Sequence, residues 1–271
     1  MKGCKVCLQI KAFNLSLGSR KILQDINLEL GPKDKLGIIG ESGSGKTMLA
    51  KSLVGMVPRN AKISAEQFKI LGCNYSLDSD YAKVKQLAGK SVALILQDAK
   101  IALNPIMRTS EHLLESLRLA QPSLETKDYT RKLVKILAEV GLGENVLTKY
   151  PHELSGGMAQ RVLIASMLAL NPQILIADEI TSALDNASAH KVLELIATLT
   201  NFYSYSTILI SHDLELVKKY CNMIMVMYQG RIVEVISSAD LENSKDAYTQ
   251  FLLNARPNKA KRGQILSEIP C

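Results

Sequence analysis

Eight consecutive residues, Gly40-Glu41-Ser42-Gly43-Ser44-Gly45-Lys46-Thr47, match the spacing G-x-x-x-x-G-K-[ST]. Glycines at those places let successive backbone N–H groups converge on phosphate oxygens. A helix starting at Lys46 would add the partial positive charge of its N-terminus. Lys46 then reaches β- and γ-phosphates, and Thr47 offers its hydroxyl to Mg²⁺. A phosphate cradle binds nucleotide, but hydrolysis also needs a carboxylate for the metal and a group that orients water. The apolar run from Ile174 to Ala177 leads straight into Asp178-Glu179. Asp178 suits the metal, acting through water, and Glu179 suits the general base, provided that its carboxylate lies within hydrogen-bond reach of the attacking water. A second anion site is expected at Leu154-Ser155-Gly156-Gly157-Met158, where Ser155 can cap a helix and the glycines leave N–H groups open. One nucleotide seldom needs two helix N-termini from distant parts of one chain, so this end is expected to meet a nucleotide held by another subunit.

The elements that position these residues follow from hydrophobic period. Cys7 to Leu17 and Ile22 to Leu30 alternate apolar with polar positions around Gly18-Ser19-Arg20, the pattern of an antiparallel hairpin. Lys35 to Ile39 predicts a strand feeding the glycine-rich loop, and Thr47 to Val57 a helix that stops before Pro58. Ile63 to Leu71 reads as another strand, and Val92 to Leu96 as a strand buried on both faces. Between Ile106 and Leu147 the period turns helical, which suggests a helical lobe inserted at about 98–157. Then come helix Gln160 to Leu170, strand Ile174 to Ala177, helix Ala187 to Leu199 and strand Thr207 to Ile210. Such alternation implies a parallel sheet with crossover helices. Met223 to Met227 and Arg231 to Val235 form a closing hairpin, and Arg256 to Gly263 reads as a mobile tail.

Composition sets the outer bounds. At 271 residues, 47% hydrophobic and 22% charged, the chain can bury a sizeable core and is neither disordered nor fibrous. Near the middle, its longest run without a charge or strong breaker, Val162 to Leu170, falls far short of the ~18 apolar residues needed to span a bilayer. The N-terminus MKGCKVCLQIK lacks the apolar region of an export signal, so a cytosolic place is expected. The net charge of +7 favours nucleic acid, anionic lipid or phosphate-bearing ligands, without choosing among them. Five cysteines without an export signal argue against a disulfide framework. Cys4-x-x-Cys7 has metal-like spacing, but a strand would put the two thiols on opposite faces. The four histidines His112, His152, His190 and His212 form no clustered ligand set.

Taken together in this order, GESGSGKT, Gln97, LSGGM, LIADE, Ser182 to Asp185 and the His212 of ISHD resemble the ATP-binding subunit of ABC transporters over about residues 6–255. The resemblance implies an α/β P-loop fold with a mostly parallel core sheet, an antiparallel β subdomain and an inserted helical lobe. It implies ATP and Mg²⁺ as cofactors, with Gln97 sensing the metal and γ-phosphate, Asp185 in the loop after the carboxylates, and His212 contacting γ-phosphate. The partners it implies are transmembrane permease subunits, a homologous ATP-binding subunit (the same chain or another), and indirectly an extracytoplasmic solute-binding protein. The place it implies is the cytoplasmic face of the membrane. Leu103-Asn104-Pro105, and Tyr248-Thr249 followed by Leu252-Leu253, resemble the oligopeptide, dipeptide and nickel importer branch. Met158 as the fifth signature residue leans toward its nickel or metal-chelate members.

Two positions depart from the family pattern. Leu17 stands where an adenine-stacking aromatic is usual, which implies looser hold on the base unless Phe13 substitutes by a register shift. Ile180 replaces a common proline after Glu179. A nucleic-acid-dependent P-loop ATPase is the competing class, but FWY at 5% offers no interleaved basic and aromatic surface, and no nucleic-acid partner is expected. A non-hydrolysing nucleotide-binding regulatory subunit should lack Glu179 or His212, and both are present.

Overall fold

The computed structural model describes residues 6–77, 80–96, 102–123, 126–182 and 185–255. The first strands, β1 (Leu8–Leu17) and β2 (Arg20–Leu30), pair antiparallel as the alternation requires. Next come β3 (Lys35–Ile39), α1 (Lys46–Leu53), β4 (Ala61–Ser64), β5 (Gln67–Ile70), β6 (Cys73–Asn74), α2 (Tyr81–Lys85) and β7 (Val92–Ile95). Two helices, α3 (Thr109–Ala120) and α4 (Thr126–Glu139), precede the long α5 (Gly156–Leu170). The chain then runs through β8 (Ile174–Asp178), α6 (Asn186–Tyr203), β9 (Ser206–Ile210), α7 (Leu214–Tyr220), β10 (Met223–Tyr228), β11 (Arg231–Ser237) and α8 (Ala247–Asn254).

These strands build two sheets. One is antiparallel, in order β2-β1-β5-β6 with β4 also on β1; the other is in order β11-β10-β3-β9-β8-β7. In the second, every pair is parallel except β10 with β11. The single strand expected from Ile63 to Leu71 is in fact two. Residue Ala12 has φ 50° and the β1 register shifts between Ile10 and Leu15, so the strand bends there. Its partner breaks at the bend: β5 follows the Leu8–Lys11 half and β4 the Asn14–Leu17 half. Of the Cys4-x-x-Cys7 spacing, Cys4 lies outside the described residues; Cys7 is buried, with its sulfur 3.4 Å from the Ser206 hydroxyl. The tail from 256 also lies outside them.

The continuous apolar strands are explained by burial on both faces of the parallel sheet. On β8, Ile174 and Ile176 join the core shared with the antiparallel sheet, while Leu175 and Ala177 join the core under α5 and α6. The same two-residue alternation splits Ile38 from Ile39 and Ile208 from Leu209. Leu113, Leu117, Leu133 and Leu137 of the two lobe helices belong to the second of these cores. Parallel strands all leave the sheet at the same edge. The phosphate loop after β3, the carboxylates after β8 and His212 after β9 therefore emerge side by side, because β3, β9 and β8 are neighbours.

The turn between β10 and β11 locks the two sheets together at this edge. Gly230 donates its N–H to Ser44 O (3.0 Å) and accepts at its carbonyl from Gln24 N (2.8 Å). It has φ 77°, and a Cβ there would stand 2.3 Å from Ile22 O, a backbone atom that cannot yield. Gly230→Ala is therefore expected to lower the melting temperature by about 5 °C, read by a thermal unfolding scan. A shift under about 1 °C would mean that this turn does not hold the sheets as described.

Candidate functional site

The glycine-rich loop takes the shape that its residue types allow. Gly40, Gly43 and Gly45 have φ of 148°, 83° and 101°, values that side-chain-bearing residues rarely adopt. A Cβ on Gly40 would also stand 2.1 Å from Met227 O, whereas one on Gly43 would meet nothing within 4 Å. Gly40 is thus demanded by packing as well as by φ, and Gly43 opens onto free space where a ligand can approach. Gly45 caps α1 in the left-handed conformation, leaving the first N–H groups of that helix without a side-chain cap.

Lys46 is 5% exposed, and its ammonium donates to Gly40 O (2.8 Å) and Glu41 O (2.7 Å), with the Ser44 hydroxyl oxygen at 3.4 Å. Burial lowers its pKa, and the charges of Glu179, Asp178 and Glu41, in that order, pull it back up. A cation held on two backbone carbonyls next to three carboxylates can keep one of those carbonyls and still donate to phosphate oxygens. Ser42 and Thr47 are exposed.

Asp178, the last residue of β8, is 3% exposed and hydrogen-bonds the Thr47 side chain. Its Oδ1 is buried with no hydrogen-bond partner among the described residues. Burial pushes its pKa up and Glu179 adds to the shift; the Thr47 hydroxyl, Lys46 and Lys51 oppose it. A buried orphan carboxylate oxygen beside a threonine hydroxyl is a donor set that fits a hard cation such as Mg²⁺. Among the described residues no cluster of three or more His, Cys, Asp or Glu could hold a metal, so any such ion would rely on few protein oxygens. Mg²⁺ is commonly bound that way, completed by phosphate and water.

Glu179 is half-buried and sits at φ 48°, an unusual place for a glutamate. Its N–H bonds Ile210 O (2.9 Å) at the end of β9, and its carbonyl accepts from the Ser182 N–H (3.1 Å) and hydroxyl (2.9 Å). Ile180, which replaces the usual proline, is 2% exposed and anchors the turn in the core. Next to this turn, Ser211 donates its N–H to Ile38 O (3.3 Å), and Asp213 caps α7 through Glu215 N (3.0 Å) and Leu216 N (3.2 Å). His212 is held exposed between these two fixed residues.

The remaining expected residues divide. Gln97 lies outside the described residues; β7 ends at Ile95 and leaves Leu96 at the surface. Asp185 is exposed and caps α6, accepting from Ser188 N at 3.0 Å; the Ser188 hydroxyl first, and then this N–H, hold its carboxyl below the usual range. Ser155 caps α5 through Met158 N (3.3 Å), and neither Gly156 nor Gly157 has any atom within 4 Å of where a Cβ would stand. No hydrogen bond among the described residues joins Ser155–Gly157 to the phosphate loop. Phe13 cannot take over base stacking from Leu17: it is fully buried, 5.7 Å from the Phe68 ring. Leu17 is half-buried at the hairpin end of β1.

Sequence reasoning missed Tyr248 as a site neighbour. Its hydroxyl accepts the Glu41 N–H at 3.2 Å, and its ring lies 4.3 Å from that of Tyr228. The pair Tyr248-Thr249 was visible as a motif, but a contact across 207 residues has no local signal.

The folded chain holds the Asp178 proton more tightly than an unfolded chain would, so ionising Asp178 costs stability as pH rises above the ordinary carboxylate pKa. Asp178→Asn is accordingly expected to raise the melting temperature of the nucleotide-free chain at pH 7 by about 2 °C. The same change should remove the additional stabilisation that Mg²⁺ gives over ATP alone. A lower melting temperature without ligand would contradict this account of Asp178.

The comparisons agree with this geometry. The family profile described as ABC transporter matches residues 23–182. The chain is 35% identical to the oligopeptide transport ATP-binding protein of Haemophilus influenzae, over 88% of this chain and 70% of that protein. It is 36% identical to the dipeptide transport ATP-binding protein of the same organism (94% and 78%), and 32% identical to the metal-staphylopine import system ATP-binding protein of Staphylococcus aureus (87% and 87%). Among solved structures, a Clostridium perfringens subunit described as part of an ABC transporter complex superposes with a TM-score of 0.76 at 21% identity, covering 93% of this chain and 96% of that one. A dimeric bacterial ABC transporter cassette gives 0.74 at 22%, covering 85% and 98%. The fold that the glycine loop and carboxylates predicted is the fold of these cassettes, and the chain belongs to the ABC transporter family, in its importer ATP-binding branch.

Proposed function

We propose that this subunit binds and hydrolyses ATP to energise an importer, as a peripheral protein on the cytoplasmic face of the membrane. The observation that carries the reading is the meeting of Lys46, Thr47, Asp178 and Glu179 at one edge of the parallel sheet. Backbone N–H groups of Gly43 to Thr47 take phosphate oxygens, and Lys46 keeps its bond to Gly40 O while exchanging Glu41 O for them. Thr47, Asp178 and Gln97 would hold Mg²⁺, Asp178 through water; bound there, the ion would neutralise developing charge on the phosphates. Glu179 takes the proton of the attacking water as its oxygen bonds the γ-phosphorus, and the bond to the leaving ADP oxygen breaks. His212 steadies the γ-phosphate.

The exposed Ser155-Gly156-Gly157 end of α5 completes the site of a second, homologous subunit, whose own helix end completes this one, with Asp185 in the loop between them. Such pairing follows from a helix end that is open to an anion but is not bonded to its own phosphate loop. Among the described residues no helix is long and apolar enough to cross a membrane. The path for cargo belongs to separate permease chains. A groove of about 470 Å³ beside α3, lined by Met107, Glu111, Leu114, Glu115, Arg118 and Leu119, is the place where a permease segment docks, with Ile106 exposed at its rim. The solute-binding protein acts only through that permease. Cargo is an oligopeptide, a dipeptide or a metal chelate; Met158 in the signature favours the nickel or metal-chelate side.

Two measurements test this reading. Glu179→Gln should cut turnover by about a hundredfold or more while ATP binding persists, and should trap the paired state, seen as an ATP-dependent doubling of mass by light scattering. Unchanged turnover, or no pairing in ATP, contradicts it. Leu17→Tyr should tighten ATP binding about fivefold by adding a stacking ring, measured by calorimetry; equal affinity removes the role given to Leu17.

A further inference from the structure

The C-terminal helix α8 reaches the phosphate loop through one atom. Tyr248 is 5% exposed, and its ring is packed between Tyr228 (4.3 Å) and Phe251 (6.2 Å). The helix is fastened to β11 by Glu234, whose Oε2 accepts from Thr249 Oγ1 (2.8 Å) and Ser244 Oγ (2.6 Å). Asp246 caps it through Thr249 N (2.8 Å). The ring therefore presents its hydroxyl to the loop from a rigid mount, where it accepts the Glu41 N–H at 3.2 Å.

The Gly40–Glu41 peptide is a planar unit whose carbonyl and N–H point in opposite directions. Its carbonyl end accepts from Lys46 Nζ at 2.8 Å, and its N–H end is the one bound to Tyr248. One rigid plate is thus pinned from both sides: from within by the ammonium that meets the phosphates, from without by a tyrosine on the last described helix. Rotation of that plate would withdraw the carbonyl from Lys46 and turn an N–H toward the cation. It would also disturb the entry of the loop, where Gly40 has no room to shift against Met227 O. Burial raises the pKa of the Tyr248 hydroxyl, so it stays neutral and able to accept at working pH.

We propose that Tyr248 is a positioning residue for ATP: by holding the Glu41 N–H it fixes the Gly40–Glu41 peptide, and through it Lys46 and the loop, in the orientation that receives the triphosphate. The inference rests on the phosphate-loop reading above and adds to it a residue from outside the nucleotide-binding motifs. Loss of the hydroxyl leaves the half-buried Glu41 N–H without this partner and frees the plate, so the effect falls on nucleotide affinity before it falls on the fold.

The test uses the full chain and ATP with Mg²⁺ in a calorimeter, beside thermal unfolding. Tyr248→Phe keeps the ring and its stacking, and should weaken ATP binding about three- to tenfold with the melting temperature within about 2 °C of wild type. Thr249→Ala removes one of the two hydroxyls on Glu234 Oε2 while Ser244 Oγ keeps the mount in place and the Tyr248 hydroxyl is untouched; it should lower the melting temperature and leave ATP affinity within about twofold. An unchanged affinity in Tyr248→Phe overturns the proposal, and so does an equal loss in both variants, since that would mean docking of α8 and not the hydroxyl is at work. If the wild-type chain itself fails to bind ATP, it is the nucleotide-binding reading that falls.

Discussion

A buried ammonium governs the architecture of this protein's edge. Lys46 is 5% exposed and satisfied by backbone carbonyls, and it is encircled by Glu179, Asp178 and Glu41. Holding a cation in such a place costs desolvation, which the fold offsets by supplying several oxygens and several negative charges at once. Those groups come from the loop after β3 and from the end of β8, so the cation can be housed only if these two strands end together. Parallel pairing of β3, β9 and β8 meets that need.

The same arrangement is tense by construction. Asp178 keeps an unpartnered oxygen in the interior and an elevated pKa, and Glu179 occupies a left-handed backbone position that costs on the order of 1 kcal/mol or more. Neither arrangement serves stability alone. The Asp178 oxygen makes sense beside a divalent ion or its water, because positive charge or a donated proton is what an unpartnered carboxylate oxygen lacks.

Much of this was legible in residue order. The loop from Gly40 to Thr47 and the carboxylates after a buried apolar run each carry their chemistry in a local pattern, and the two-residue period of the strands places them on one edge. What was hidden depends on distant contacts or on backbone shape. The bend at Ala12 splits one expected strand into β4 and β5, and no alternation of side chains announces a left-handed alanine. Phe13 could stand in for Leu17 only by a register shift, and the pairing of Phe13 with Ile26 instead leaves it wholly inside. Tyr248 meets Glu41 because the last helix folds back over β10 and β11, a closure that only the tertiary structure reveals.

The three chemistry-bearing strand ends are stitched together by backbone bonds: Ser211 N–H to Ile38 O, and Glu179 N–H to Ile210 O. A lip sewn in this way cannot shift at one strand end without breaking a backbone bond to the next, so Glu179, His212 and the glycine loop keep their mutual spacing as a unit.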